Sequence, residues 1–188
     1  MVVRVKISLC GDGMVGKTTI RDCYLGLGFQ TDYIPTIGTD IVSKQVTLYG
    51  GGESTELKFQ IWDLAGQPNY HEVRKLYFRH TVGAFLIFDI TRPDTLFGLD
   101  RWMNELNKHS GRKDISVIVL GNKVDLQDED KDSVKIEKAR EYISGELRSK
   151  FDNIDEDVTY FETSGKTGKN VDNAFHELGL RLYKKYKT

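Results

Sequence analysis

The sequence predicts an α/β protein of three layers: a mostly parallel six-stranded sheet with one antiparallel edge strand and helices on both faces. Three observations predict it. Short apolar runs alternate along the chain with segments of helical period, the mark of stacked strand-helix-strand units. Between residues 40 and 63 the pattern changes to strict alternation, as a hairpin half-exposed to water requires. Directly after the first apolar run, a glycine-rich turn opens into a helical stripe.

The elements follow in order. Residues 5–10 form an unbroken apolar run, which reads as a parallel strand buried on both faces. Ile20, Tyr24 and Leu27 then share one helical face. In the 40–63 segment Leu57, Phe59 and Ile61 point one way and Lys58 and Gln60 the other, around the turn Tyr49-Gly50-Gly51-Gly52-Glu53. Residues 84–90 and 115–120 are two more buried strands, separated by the stripe Leu96, Leu99, Met103 and Leu106. Ile136, Ala139, Ile143 and Leu147 make a third helix. The acidic stretch 152–157 reads as a surface loop before the last strand, and Val171, Phe175, Leu178 and Leu182 make the closing helix.

At 188 residues, 39% hydrophobic and 11% aromatic, the chain is long enough for one substantial core and too short for two ordinary ones. There is no internal repeat, low-complexity tract or linker-like shift, so one domain over residues 1–188 is expected. A formal net charge of -1 argues against a nucleic-acid partner, and the basic ending at Lys184, Lys185 and Lys187 reads as a solvated helix end. Cys10 and Cys23 fit reduced packing thiols and a cytoplasmic protein. The longest apolar stretch, 82–88, is about a third of a bilayer span. No lipidation signal is encoded in this chain, so no membrane anchor is expected in it, and peripheral membrane association only through partners or a tail beyond this chain; a monomer is expected.

The chemistry starts at Gly11-Asp12-Gly13-Met14-Val15-Gly16-Lys17-Thr18, which matches Gly-x-x-x-x-Gly-Lys-Ser/Thr where a strand turns into a helix. Its glycines let successive N–H groups and a helix N-terminus face a phosphate chain. Lys17 adds charge for the outer phosphates, and the Thr18 hydroxyl can bind magnesium. This loop serves ATP and GTP alike. Asn122-Lys123-Val124-Asp125, after the strand 115–120, separates them. A carboxylate accepts two hydrogen bonds from the N1–H and exocyclic amine of guanine, while adenine offers an acceptor at N1.

With these motifs stand Pro35-Thr36-Ile37-Gly38, Trp62-Asp63-Leu64-Ala65-Gly66-Gln67, Asp89-Ile90-Thr91-Arg92 and Glu162-Thr163-Ser164-Gly165-Lys166. In this order and spacing the chain resembles the Ras superfamily of small GTPases over essentially its whole length, and its Rab branch most nearly. The resemblance implies a P-loop GTPase domain that binds GTP or GDP with Mg2+. It implies slow hydrolysis of GTP, and signalling through switch loops near residues 30–40 and 64–78. It makes Thr18 and Thr36 magnesium ligands, with Asp63 holding the metal through water and Gly66 contacting the γ-phosphate through its amide. Gln67 would orient the attacking water, with Lys17 beside it as the second catalytic group. The nucleotide would lie along Gly13 to Thr19 (Met14, Val15 and Gly16 included) and meet Asn122, Lys123, Asp125, Ser164, Gly165 and Lys166, with Phe29 stacked on guanine. The implied partners are a GTPase-activating protein, an exchange factor and effectors, the last meeting a surface of Ile41, Trp62 and Tyr77.

Four departures qualify the resemblance. Gly165 stands where alanine is common, Pro68 where the Rab branch usually has glutamate, and Ile41 where it usually has phenylalanine; the twin cysteines of a Rab tail are missing. His71, His80, His109 and His176 have no metal-ligand spacing. Two other functions compete: a small-molecule P-loop kinase and a nucleotide-locked scaffold without turnover. The first should carry a lid with several arginines and an acceptor pocket, yet the Asn-Lys-x-Asp motif at 122–125 and the Asp-x-x-Gly-Gln motif at 63–67 occupy the diagnostic places, and Gln67, Thr18, Thr36 and Asp63 argue against the second.

Overall fold

The computed structural model describes residues 2–30, 35–50, 53–127, 133–151 and 159–186. Six strands form one sheet: β1 (Val3–Cys10), β2 (Thr39–Gly50), β3 (Glu53–Leu64), β4 (Gly83–Asp89), β5 (Ser116–Asn122) and β6 (Thr159–Glu162). Their spatial order is β2-β3-β1-β4-β5-β6. Every neighbouring pair is parallel except β2 with β3, so the predicted antiparallel edge strand is β2. The register sets Val46 opposite Leu57 and Val42 opposite Ile61. Leu57, Phe59 and Ile61 are fully buried, and each such side chain contributes roughly 1.5–3 kcal/mol by leaving water. Part of the hairpin turn (51–52) and the acidic stretch 152–157 lie outside the described residues.

Helices cover both faces. On one side α1 (Lys17–Leu25) and α6 (Val171–Tyr186) pack Ile20, Phe175, Leu178 and Leu182 against Val5, Ile7, Phe59 and Phe85. On the other, α3 (Pro93–Phe97), α4 (Leu99–Ser110) and α5 (Ile136–Tyr142), which continues through a π turn over Ile143–Leu147, pack against Leu86, Phe88, Val117 and Val119. A short helix, α2 (His71–Tyr77), joins β3 to β4 after a 3-10 turn at Pro68–Tyr70. Among the described residues no helix is long and apolar enough to cross a membrane.

Two helix readings are corrected. Leu27 does not continue the α1 stripe: Gly26 takes a left-handed φ of 78° and ends the helix with its N–H on the Asp22 and Cys23 carbonyls, leaving Leu27 62% exposed. The stripe from Leu96 to Leu106 is two helices meeting at Gly98, although all four of its apolar residues are buried. A Cβ at position 98 would come 2.9 Å from Asp12 Oδ2, so the glycine lets the phosphate-type loop approach the helix junction.

Candidate nucleotide site

At the carboxyl ends of β1 and β5, where open α/β sheets hold ligands, a cavity of about 780 Å³ runs from the glycine-rich loop to the 122–125 segment. Two glycines of the loop are sterically required. Gly11, at φ 152°, would bring a Cβ within 2.2 Å of the Ile87 carbonyl, and Gly16, at φ 95°, within 2.3 Å of Asn122 Nδ2. With that space clear, Asn122 Nδ2 donates to the Val15 carbonyl at 2.8 Å. Lys17 lies across the loop and donates to the Gly11 and Asp12 carbonyls, each at 2.8 Å. Burial pushes its ammonium down to about 8, against the opposing pull of Asp63.

Three oxygen donors converge next to it. The Thr18 hydroxyl donates to Asp63 Oδ2 at 2.5 Å and stands 3.0 Å from the Thr36 hydroxyl. Asp63 is wholly buried, and its Oδ1 has no hydrogen-bond partner. Burial pushes this carboxyl upward, opposed by the Thr18 hydrogen bond and the nearby Lys17 and Arg21 charges. Two hydroxyls and an unpartnered buried carboxylate oxygen are the hard donor set magnesium takes. Nearby, Gly66 packs against the loop so closely that a Cβ there would lie 2.5 Å from Asp12 carbon. Gln67 lines the cavity, its Oε1 buried without a partner.

The other end of the cavity is braced by side chains. Asn122 Oδ1 accepts the Gly165 N–H at 3.1 Å, and the Ser164 hydroxyl donates to Asp125 Oδ1 at 2.5 Å. Lys123 Nζ pairs with Asp89 at 2.7 Å. Burial raises the Asp89 carboxyl, but hydrogen bonds from Lys123 and Thr91 outweigh it and hold the group below the usual range. Phe29, 46% exposed, lines the mouth with Lys166 Nζ 5.9 Å from its ring centre. Gly13, Met14, Thr19 and Lys166 also face the cavity. Val15, Asp63 and Ser164 are fully buried behind its wall, reaching it through Asn122, Thr18 and Asp125. Of the first switch segment, 31–34 lie outside the described residues.

A family model described as Ras family matches residues 6–184. The chain belongs to the Ras family. Among curated relatives it is 34% identical over 178 residues to Ras-related protein RABA4b of Arabidopsis thaliana, covering 95% of this chain and 72% of that one. It is 32% identical over 180 residues to Ras-related protein Rab-10 of Diplobatis ommata (96% and 82%). It is 31% identical over 194 residues to GTP-binding protein YPT52 of Saccharomyces cerevisiae (97% and 83%). These relatives and the sheet topology make it a Rab-like small GTPase: a guanine-nucleotide-binding switch of a family that hydrolyses GTP and works with exchange factors, activating proteins and effectors.

Within this Ras-family site, the structure accounts for the glycine at position 165. A Cβ there would lie 3.0 Å from the Ile20 nitrogen, from the Thr19 carbonyl carbon and from Thr19 Cγ2, so the backbone of the first turn of α1, together with its threonine, fills the space an alanine would occupy. Gly165→Ala is therefore expected to destabilise the protein by roughly 1–3 kcal/mol through overpacking. Adding Thr19→Ala should recover only part of that loss, because it removes the Cγ2 contact and leaves the two backbone ones, and thermal midpoints of the single and double variants check it.

Several site neighbours escaped the sequence reading. Arg74 is buried on α2, pairs with Glu105 at 3.2 Å, stacks 4.5 Å from the Trp102 ring centre and donates to the carbonyls of Ala65 and Gln67. It thereby holds the backbone on either side of Gly66. Trp102 Nε1 and Arg101 both donate to Asp12 Oδ1. Arg92 donates to the Gly13 carbonyl at 2.9 Å and pairs with Asp89. Arg21, Asp22 and Asp40 line the cavity. Arg92 stands in the motif Asp89-Ile90-Thr91-Arg92 and so is marked there without a role, and Arg21 carries a second readable signal: it follows Thr18 by three helical positions and so shares its face.

Proposed function

We propose that the chain is a single G domain over residues 1–188, a monomeric cytoplasmic switch that binds GTP or GDP with Mg2+ and hydrolyses GTP slowly. The observation that carries this reading is the joining of two recognition ends in one cavity: the Lys17–Thr18 loop with the unpartnered Asp63 oxygen, and the braced Asp125 carboxylate. Magnesium, when bound, supplies positive charge to the β- and γ-phosphate oxygens. The chain's own residues do the rest. Thr18 and Thr36 offer their hydroxyls to the metal, and Asp63 offers its free oxygen through water. Lys17 and the loop N–H groups hold the phosphates, while the Gly66 amide reaches the γ-phosphate. Gln67 positions the attacking water, and its buried Oε1 is an acceptor suited to that task. Phe29 stacks on the base, Asp125 accepts its two N–H donors, and the Ser164-Gly165-Lys166 turn closes over it. Loss of the γ-phosphate removes the contacts that hold Thr36 and Gly66 in place, and so changes both switch segments.

Single-turnover hydrolysis by the purified chain tests this reading. GTP with Mg2+ should be cleaved slowly and ATP not at all; equal use of ATP would refute the assignment of Asp125.

Effectors are proposed to read the surface between the switches. Ile41, 48% exposed, sits opposite Trp62 in the β2–β3 register, and the Trp62 and Tyr77 rings lie 5.9 Å apart. Both aromatics are half-buried, with their inner edges against the core. Aromatics beside a moving segment make strong recognition anchors. Tyr77→Ala is expected to weaken effector capture by the GTP-analogue form by about tenfold or more, leaving GDP affinity within about twofold. Loss of nucleotide affinity with capture unchanged would make Tyr77 a structural residue instead.

A further inference from the structure

Arg21 is the least expected charge beside the magnesium donors. It stands on α1 three residues after Thr18 and lines the cavity, yet its side chain is only 9% exposed. Its guanidinium meets three carboxylates. Nε and Nη2 bind Asp22 Oδ1 at 2.8 and 2.7 Å, and Nη1 binds Asp40 Oδ2 at 2.5 Å. The same Nη1 lies 3.4 Å from Asp63 Oδ2, the oxygen that also takes the Thr18 hydroxyl. The other Asp63 oxygen is left without a partner.

A polyphosphate bound beside Asp63 would face a buried negative charge whenever the divalent cation leaves. In a site of low effective dielectric that repulsion is large, and nucleotide release speeds up as a result. An arginine cannot lose its proton here, so its charge stays when the metal goes. Asp40, with 55% of its side chain exposed, competes for the same guanidinium from the start of β2, next to the first switch. We propose that Arg21 is a resident cation of the magnesium site, which offsets the charge of Asp63 and makes nucleotide retention less dependent on Mg2+ than an apolar residue would. The inference rests on the reading of Thr18, Thr36 and Asp63 as the magnesium donors.

The test loads the full chain with a fluorescent GDP and measures its dissociation into excess unlabelled GDP, with Mg2+ and then with EDTA. The quantity of interest is the factor by which EDTA speeds release. Arg21→Leu is expected to enlarge that factor roughly tenfold over the wild type. Asp40→Asn, on the exposed side of the pair, should shrink it, because the guanidinium is then free to turn fully to Asp63. Equal factors in the wild type and Arg21→Leu would overturn the inference. Should Arg21→Leu fail to fold, Asp40→Asn decides alone, and an unchanged or larger factor overturns it. If EDTA speeds release in none of the proteins, the magnesium reading itself falls, and the inference with it.

Discussion

Gln67→Leu is expected to abolish the stimulated hydrolysis of GTP while leaving GTP and GDP binding nearly unchanged, so that the variant accumulates in the GTP form. Phosphoryl transfer builds charge on the bridging and γ-oxygens, and the chain's own supply is Lys17 and the loop amides. The arginines nearest the site are already engaged: Arg92 on the Gly13 carbonyl and Asp89, Arg21 on three carboxylates, and Arg74 on Glu105. Intrinsic turnover should therefore be slow, and an arginine brought by an activating protein should raise it by as much as ~10⁵-fold, as in Ras-type GTPases. Gly13 leaves room for that arginine. A Cβ added there meets only Gln67 Cγ, at 3.9 Å, so Gly13→Val should fold and bind nucleotide yet fail to be accelerated. Single-turnover rates with and without the activating protein check both variants. An intrinsic rate on the order of 1 s⁻¹, or no loss in Gln67→Leu, would require a catalytic group outside this set.

The second large effect concerns the base. Asp125→Asn should lower GDP and GTP affinity by two or more decades, since two hydrogen bonds to a charged acceptor are lost at roughly 1.5–3 kcal/mol each. The Ser164 hydroxyl holds one carboxylate oxygen at 2.5 Å. An asparagine can keep its carbonyl on that hydroxyl and turn its NH2 toward the base, where it suits the extra carbonyl of xanthine. Competition between GDP and xanthosine diphosphate on the variant measures the switch. Unchanged GDP affinity would remove Asp125 from base recognition.

How much of this is legible in the chain depends on where each signal lies. β1, β4 and β5 can be read because central parallel strands, buried on both faces, appear as unbroken apolar runs. α2 cannot: Val73 and Leu76 face outward, and the residue it buries most deeply is an arginine, so there is no apolar stripe to find. Gly26 and Gly98 each end a helix within a pattern that period alone would extend. The loop and base motifs are contiguous in sequence, so the residues lining the cavity are readable from their spacing. Arg74 and Arg92 act through partners as far as 31 and 79 positions away, and no local pattern records such a pairing.

The amide of Asn122 bears on how this protein can change over evolutionary time. One of its atoms holds the carbonyl of Val15 and the other the N–H of Gly165, so a single side chain serves both the lineage of the phosphate loop and that of the base loops. A mutation that reshaped the base end to accept another nucleoside would also pull on Val15 and disturb the phosphate end. The route to a new nucleotide is thus narrowed to substitutions such as Asp125→Asn, which alter the outer contacts and spare the shared amide. Drift in the sequence around the site must leave that residue, and the glycine at 16 that makes room for it, untouched.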